Sequence, residues 1–318
     1  MIRRTLLALL TGLAVAGAAS AQGSWPSRPI RVIVPYPPGG PVDSIARFLV
    51  PGLSKELGQP IVVDNRAGAA GLIGVAATVN AEPDGYTFGI GALGHFAVQP
   101  HVGKVPYKLE DVNYVTLMTQ SPHVFIVNPA QGYPDLKSVI EAARKAPGKL
   151  NYGSPGSGSS THLDGELLQQ EAKIEIQHVP YKGGPAAVTA MVGGEVQLLS
   201  VEVSVGMSVQ QKVRIAAVMA DKRLPQLPKV PTMVELGYPN VVSSSMYGMI
   251  APKNTPREIT EKFRLAVIQA LNAPEVKSRL NAQGQSVVTG TPEEFRKLME
   301  AESAKWGSMI KARNIKVD

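Results

Sequence analysis

Apolar residues recur along this chain with two periods, and the periods alternate. The β-branched run Ile30-Arg31-Val32-Ile33-Val34 predicts a strand, the Pro/Gly segment 35–41 a turn, and Ile45, Phe48, Leu49 and Leu53 one face of a helix. A strand at 61–63, a helix at 72–79 and a strand at 87–90 continue the series, with turn chemistry at Pro83-Asp84-Gly85. Pro51 lies inside the first helical pattern, where a kink is expected. The pattern restarts near Val124, with strands at 124–127, 150–152, 174–179, 196–199 and 215–218 and helices at 136–146, 160–170 and 185–192. Such alternation predicts an α/β architecture of mostly parallel sheets flanked by helices. A strand at 247–250 then precedes three helices starting near Pro256, Pro274 and Pro292, each with proline in its first turn, where the missing N–H costs nothing. These helices have no sheet of their own. The economical solution returns the chain to the first lobe: 22–123 begins lobe 1, 124–228 forms lobe 2, and 229–318 re-enters lobe 1, with a hinge where two segments cross.

Two loops join a predicted strand's carboxyl end to a helix, the place where ligands bind in open α/β sheets. The first, 35–43, contains Tyr36, Pro38, Gly39, Gly40 and Asp43; its glycines admit close approach, and the helix after it presents free N–H groups to an anion. The same composition also fits a rigid turn with Asp43 capping the helix. The second, 153–162, offers hydroxyls and amides from Ser154, Gly158, Ser159, Ser160 and Thr161, and ends at His162. It equally fits a surface loop with Ser159 or Ser160 as N-cap.

Other chemistries have weaker support. Gly89-Ile90-Gly91-Ala92-Leu93-Gly94 matches dinucleotide-binding glycine spacing, but Pro100 and the lack of a helical period over 95–100 leave it without its helix. Ser157, His162 and Asp164 would make an exported serine hydrolase only if three residues crowded into one loop and one helical turn formed a linear relay; no G-x-S-x-G elbow is present. The five histidines show no metal-ligand spacing, and no cofactor is implied.

Composition narrows the class further. Arg3 and Arg4, the apolar run 5–18 and the small residues Ala19-Ser20-Ala21 read as a secretory signal cleaved near Ala21; the run is shorter than the roughly twenty residues a spanning helix needs. The absence of cysteine removes disulfides, a thiolate nucleophile and a lipid acceptor at the cleavage site. Net charge is +7 over 318 residues, with Lys and Arg scattered rather than in runs, which argues against nucleic acid and fits a weak general attraction for anions.

Ordered motifs across nearly the whole chain carry a family likeness. Pro35-Tyr36-Pro37-Pro38-Gly39-Gly40 with Asp43 and Ala46-Arg47, then Val62-Val63-Asp64-Asn65-Arg66 with Gly68, Gly71 and Gly74, resemble the Bug family of tripartite tricarboxylate transporter receptors. The likeness continues through Pro83-Asp84-Gly85-Tyr86-Thr87, Gly148 to Tyr152, His162-Leu163, Val179 to Gly183 and Leu227-Pro228 with Val230-Pro231-Thr232. The resemblance implies a two-lobe, type II-like periplasmic binding protein fold holding a carboxylate between the loops at 36–43 and 154–162, largely through backbone amides and bridging waters. It adds Leu93, Tyr181 and Val201 to the candidate ligand-binding residues, with Tyr181 either lining the cleft or packing the hinge, and leaves Asp64-Asn65-Arg66 structural. Gln197, and Ser200 or Val201, stand where the family pattern has acids, which should disfavour a ligand bearing ammonium unless Glu202 substitutes. His95 and His101 are also unusual for the family.

The resulting expectation is a monomeric, non-catalytic periplasmic receptor that closes on a mono- or dicarboxylate, aliphatic or aromatic, and hands it to integral membrane transporter subunits. A sensor passing occupancy to a signalling partner has the same sequence pattern.

Overall fold

The computed structural model describes residues 25–312 and 315; the signal-peptide reading of 1–21 lies outside them. β1 (Ile30–Val34) pairs in parallel with β2 (Ile61–Asn65) and β3 (Thr87–Ala92), and α1 (Pro41–Leu57) and α2 (Leu72–Val79) supply the crossovers. α1 continues through Pro51, which is exposed, and ends at Gly58 in the left-handed region that glycine adopts without penalty. In the second half β5 (Asn151–Ser154) pairs in parallel with β6 (Gln177–Pro180) and β7 (Leu198–Glu202). Between these strands run α5 (Ser160–Ala172) and α6 (Gly184–Gly193), and α4 (Leu136–Lys145) precedes β5.

The expected parallel strands are therefore present, and antiparallel strands join them. β4 (Val112–Val127) is far longer than the strand expected at 124–127. Its first part pairs antiparallel with β9 (Ser244–Pro252), itself antiparallel to β3, and its last part pairs with β7 and β8 (Arg214–Val218). The early part of β4 escapes a period-two reading because it is buried on both faces over much of its length, which removes the apolar/polar alternation. Among the described residues, all ten strands join in one curled sheet through β4.

The chain's return to the first set of strands begins at Ser244. Before that, Thr232 still bridges Val218, and the Ser243 N–H bonds the Met219 carbonyl. α8 (Arg257–Asn272), α9 (Pro274–Ala282) and α10 (Pro292–Ala312) begin where the prolines predict them. Between α9 and α10 the two-residue β10 (Ser286–Val287) adds to β4.

One expectation is corrected. The segment after β3 is helical: a π turn at Gly94–Val98 leads into a short α segment at Gln99–Val102, with Pro100 in its first turn, where no donor is lost. The glycine spacing that precedes it serves packing. A Cβ on Gly89 would lie 2.1 Å from Thr78 Oγ1, and one on Gly91 would lie 2.4 Å from the Phe96 ring.

α1 and α8 cover one face of the first strands, and Phe263 of α8 stacks on Phe88 of β3 with ring centroids 3.7 Å apart. Both rings are fully buried. Phe263→Ala is expected to cost about 3–5 kcal/mol of stability, read from urea denaturation midpoints at unchanged m-value.

Candidate functional site

Parallel pairing places the carboxyl ends of β1, β2 and β3 on one edge and those of β5, β6 and β7 on another, and the loops leaving those ends meet. The Gln99 Nε2 amide, just after β3, donates to the Gly158 carbonyl, after β5, at 3.0 Å. The segments after β3 and β5 therefore touch, while the candidate loops at 35–43 and 153–162 leave the carboxyl ends of β1 and β5.

Asn65 braces the first loop from the end of β2: its amide donates to the Tyr36 carbonyl and to Asp43 Oδ1, each at 3.0 Å. Asp43 is buried and also accepts from the Gly39 N–H at 2.9 Å and from Arg47 Nε at 2.8 Å. Burial alone would raise its pKa, but Arg47, the Gly39 amide and Asn65 together hold the carboxyl below the usual range. Asp43 therefore shapes the loop as an ionised brace, while Pro38 and Gly39 are exposed at its tip and Gly40 begins the helix as N-cap.

Tyr36 turns inward, stacks on His95 and places its hydroxyl 3.2 Å from His95 Nε2. His95 Nδ1 accepts the Ala92 N–H at 3.0 Å, so its proton sits on Nε2, toward the Ala70 carbonyl at 3.1 Å. Burial pushes the ring's pKa down to about 4, and it stays neutral. Gly71 is required beneath it, since a Cβ there would lie 2.3 Å from Nε2. Leu93 is buried in the adjoining core.

The second loop rests on two stacked imidazoles. The rings of His162 and His178 lie 3.8 Å apart and nearly parallel. His162 Nδ1 accepts the Gly158 N–H at 3.0 Å, and His178 Nε2 is 2.6 Å from Ser154 Oγ, which also bonds Gly156. Burial lowers both pKa values, that of His178 to about 3 with a further push from His162. Ser159 is the N-cap of α5: its Oγ accepts the His162 N–H at 3.1 Å and donates to the Gly156 carbonyl at 2.8 Å. Ser160 and Thr161 open the helix, whose first N–H groups have no intrahelical partner. Tyr181 bonds Glu195 at the turn before β7, and Val201 is buried in the apolar cluster behind the second loop.

Sequence reasoning missed the polar group at the crossing strands. His123 on β4 bonds Asp164 Oδ2 through Nδ1 at 2.7 Å and Ser245 Oγ of β9 through Nε2 at 2.8 Å; Ser200 Oγ donates to the same Asp164 oxygen at 2.5 Å. His123 and Asp164 are 0% exposed. Burial alone would lower the pKa of His123, but the Asp164 charge outweighs it and raises the value. This pairing removes the hydrolase alternative built on Ser157, His162 and Asp164: His162 is turned to Gly158, and Asp164 is committed to His123. The Ser245–His123–Asp164 line imitates a catalytic relay but sits inside the crossing strands.

Neutral His178, His95 and His162 make stability rise with pH, because the unfolded chain binds protons that the folded one refuses. The melting temperature is expected to fall as pH drops from about 6.5 toward 4, and His178→Asn should flatten that slope; His123 has the opposite sign, and its contribution is lost as pH rises through its raised pKa. Asp164→Asn should cost about 3–5 kcal/mol in chemical denaturation, because it removes the buried carboxylate that both His123 and Ser200 are bonded to.

A model of the tripartite tricarboxylate transporter family receptor matches residues 45–315. Protein BugT of Bordetella pertussis is 34% identical over 96% of this chain and 96% of its own. An R. palustris protein solved with adipate is 30% identical, with a TM-score of 0.86, over 92% of this chain and all of the other. MatC from Rhodopseudomonas palustris with bound malate is 30% identical, with a TM-score of 0.82, over 90% of this chain and all of the other. With likeness running almost end to end, this chain belongs to the tripartite tricarboxylate transporter receptor family, the Bug receptors, whose members bind solutes and catalyse no reaction.

Proposed function

We propose that the protein is a monomeric periplasmic receptor that captures a small carboxylate by lobe closure and presents it to integral membrane transporter subunits. The observation that carries this reading is that the segment after β3 touches the loop after β5, and that the Gly/Pro loop at 35–43 and the Gly/Ser loop at 153–162 each lead from a strand's carboxyl end into a helix N-terminus. Helix N-termini place unpaired N–H groups and the positive end of a dipole toward an anion. In this reading the anion sits between Tyr36 to Gly40 and Ser157 to Thr161. Asp43, Ser154 and His162 hold the loops in shape from behind, and Leu93 and Val201 pack beneath. The adipate and malate held by the two R. palustris relatives agree with that chemistry.

The two crossings supply the hinge: β4 near Pro122 and His123, and the entry into β9 near Ser244. Lobe 1 is then the part before the first crossing together with the part after the second, and the N-terminal 21 residues direct export. A ligand that contacts both loops binds the closed form better than the open one, and that difference drives closure.

A thermal-shift screen of the mature protein against small carboxylates tests the reading, with sugars, phosphate esters and amines lacking a carboxylate as controls. A ligand at about a hundred times its dissociation constant adds about 2.7 kcal/mol, several degrees of melting temperature. The expected shift is confined to carboxylates and is weakened in Gly39→Val, because Gly39 holds φ +84, where a β-branched residue is strained. Shifts with sugars or phosphate esters alone would overturn the assignment.

A further inference from the structure

His95 gathers the three loops that leave the carboxyl ends of the first parallel strands. It stands in the segment after β3, where its Nδ1 accepts the Ala92 N–H at 3.0 Å. Its Nε2 lies 3.2 Å from the Tyr36 hydroxyl, in the loop after β1, and 3.1 Å from the Ala70 carbonyl, in the segment after β2. The backbone of His95 is fixed from the core side, since its carbonyl accepts the buried Tyr107 hydroxyl at 2.8 Å. One imidazole thus bonds to all three loops. The helical segment that begins beside it also carries Gln99, whose amide donates to the Gly158 carbonyl of the second loop.

The segment after β2 is strained. Gly68, Ala69, Ala70 and Gly71 all have positive φ, with Ala69 at +46° and Ala70 at +52°. An alanine Cβ crowds its own backbone in this region, which glycine enters freely. Among the described residues Lys173 is the one other non-glycine residue there, and it ends α5, where a left-handed residue is usual. Ala69 and Ala70 instead sit in an exposed turn, so burial of their own side chains does not offset the strain. Inside the turn the Gly71 N–H bonds the Gly68 carbonyl and the Leu72 N–H bonds the Ala69 carbonyl. From outside, His95 bonds Ala70, and its ring lies against the backbone at Gly71, where a Cβ would come within 2.3 Å of Nε2.

We infer that His95 is a positioning residue for ligand binding, which locks the loops after β1, β2 and β3 into one unit and keeps 68–71 in its strained, binding-competent form. The inference rests on the carboxylate-receptor reading. Strain of this kind persists only where the surroundings over-determine it, and it collects where a ligand needs a preset surface. A loop released from it populates other conformers, and apparent affinity falls with the competent fraction.

Two variants separate positioning from plain stabilisation. His95→Asn keeps an acceptor near the Ala92 N–H but is too short to reach Ala70 or Tyr36. Ala69→Gly combined with Ala70→Gly leaves His95 in place and removes the penalty at both alanines. In ligand-free His95→Asn, hydrogen exchange read by mass spectrometry is expected to quicken at least about tenfold in 36–43 and 67–74 together, with α8 unchanged. Calorimetric titration uses succinate, malate, adipate, benzoate and their homologues. The carboxylate that the wild type binds most tightly is expected to bind about tenfold more weakly to either variant. The double-glycine variant should nonetheless melt no lower than the wild type, an outcome that a merely stabilising role for the turn does not give. Faster exchange confined to 92–98, or a double-glycine variant with unchanged affinity or a lower melting temperature, overturns the inference and leaves the receptor reading standing. Absence of wild-type binding by all of these carboxylates overturns both. Should His95→Asn fail to fold, the double-glycine variant decides alone.

Discussion

One strand belongs to both halves of the molecule, and the cleft follows from that. β4 pairs with β9 over its first part and with β7 and β8 over its last. Where the partners change, the His123 N–H bonds the Ser243 carbonyl and the His123 carbonyl accepts the Met219 N–H, and polar side chains gather around that residue. His123, Asp164, Ser200, Ser243 and Ser245 form that junction, with the His123–Asp164 pair at its centre. A buried pair of this kind contributes little net stability against a well-packed apolar substitute, but losing one partner is costly. It therefore favours one arrangement of the crossing strands over nearby alternatives. Asp164 sits in the first turns of α5, so the same pair ties the second candidate loop to the crossing strands.

The loops are built on a shared economy of charge. Asp43 is ionised and carries its own cation, Arg47. The imidazoles below the loops are held neutral by burial, and each is oriented by a backbone N–H or a hydroxyl. α5 is buried nearly all round, a condition usually met only by apolar helices, and it tolerates His162, Asp164, Glu166 and Gln169 because each is hydrogen-bonded.

Much of this was legible in the sequence. The first lobe's elements announce themselves because each strand is short and β-branched and each helix has a clear apolar face; α2 spans the residues its period predicts. The three proline-led helices were readable for the same local reason. β4 was not, since a strand buried on both faces loses its alternation, and Thr116, Thr119 and Ser121 inside it look like loop residues. The π turn at 94–98 has no periodic signature that separates it from a loop. Both candidate loops stood out by composition, but their division into tip and brace did not. Nothing in the spacing tells that Asp43 closes on Gly39, or that His178 and His162 stack below Ser154 and Gly158. The junction residues come from four elements far apart in sequence, so only the fold brings them together.

For the proposed carboxylate, a grip made of amides rather than cations has a kinetic consequence. A buried arginine would offer a bidentate, charge-assisted pair whose rupture on opening leaves two unpaired ions. Helix N-termini spread the interaction over several partial charges, and water can satisfy those as the loops part. Closure then depends on simultaneous contact with loops in both lobes, and each contact alone is weak. A receptor of this design can hold its ligand when closed and give it up when a membrane partner pulls the lobes apart.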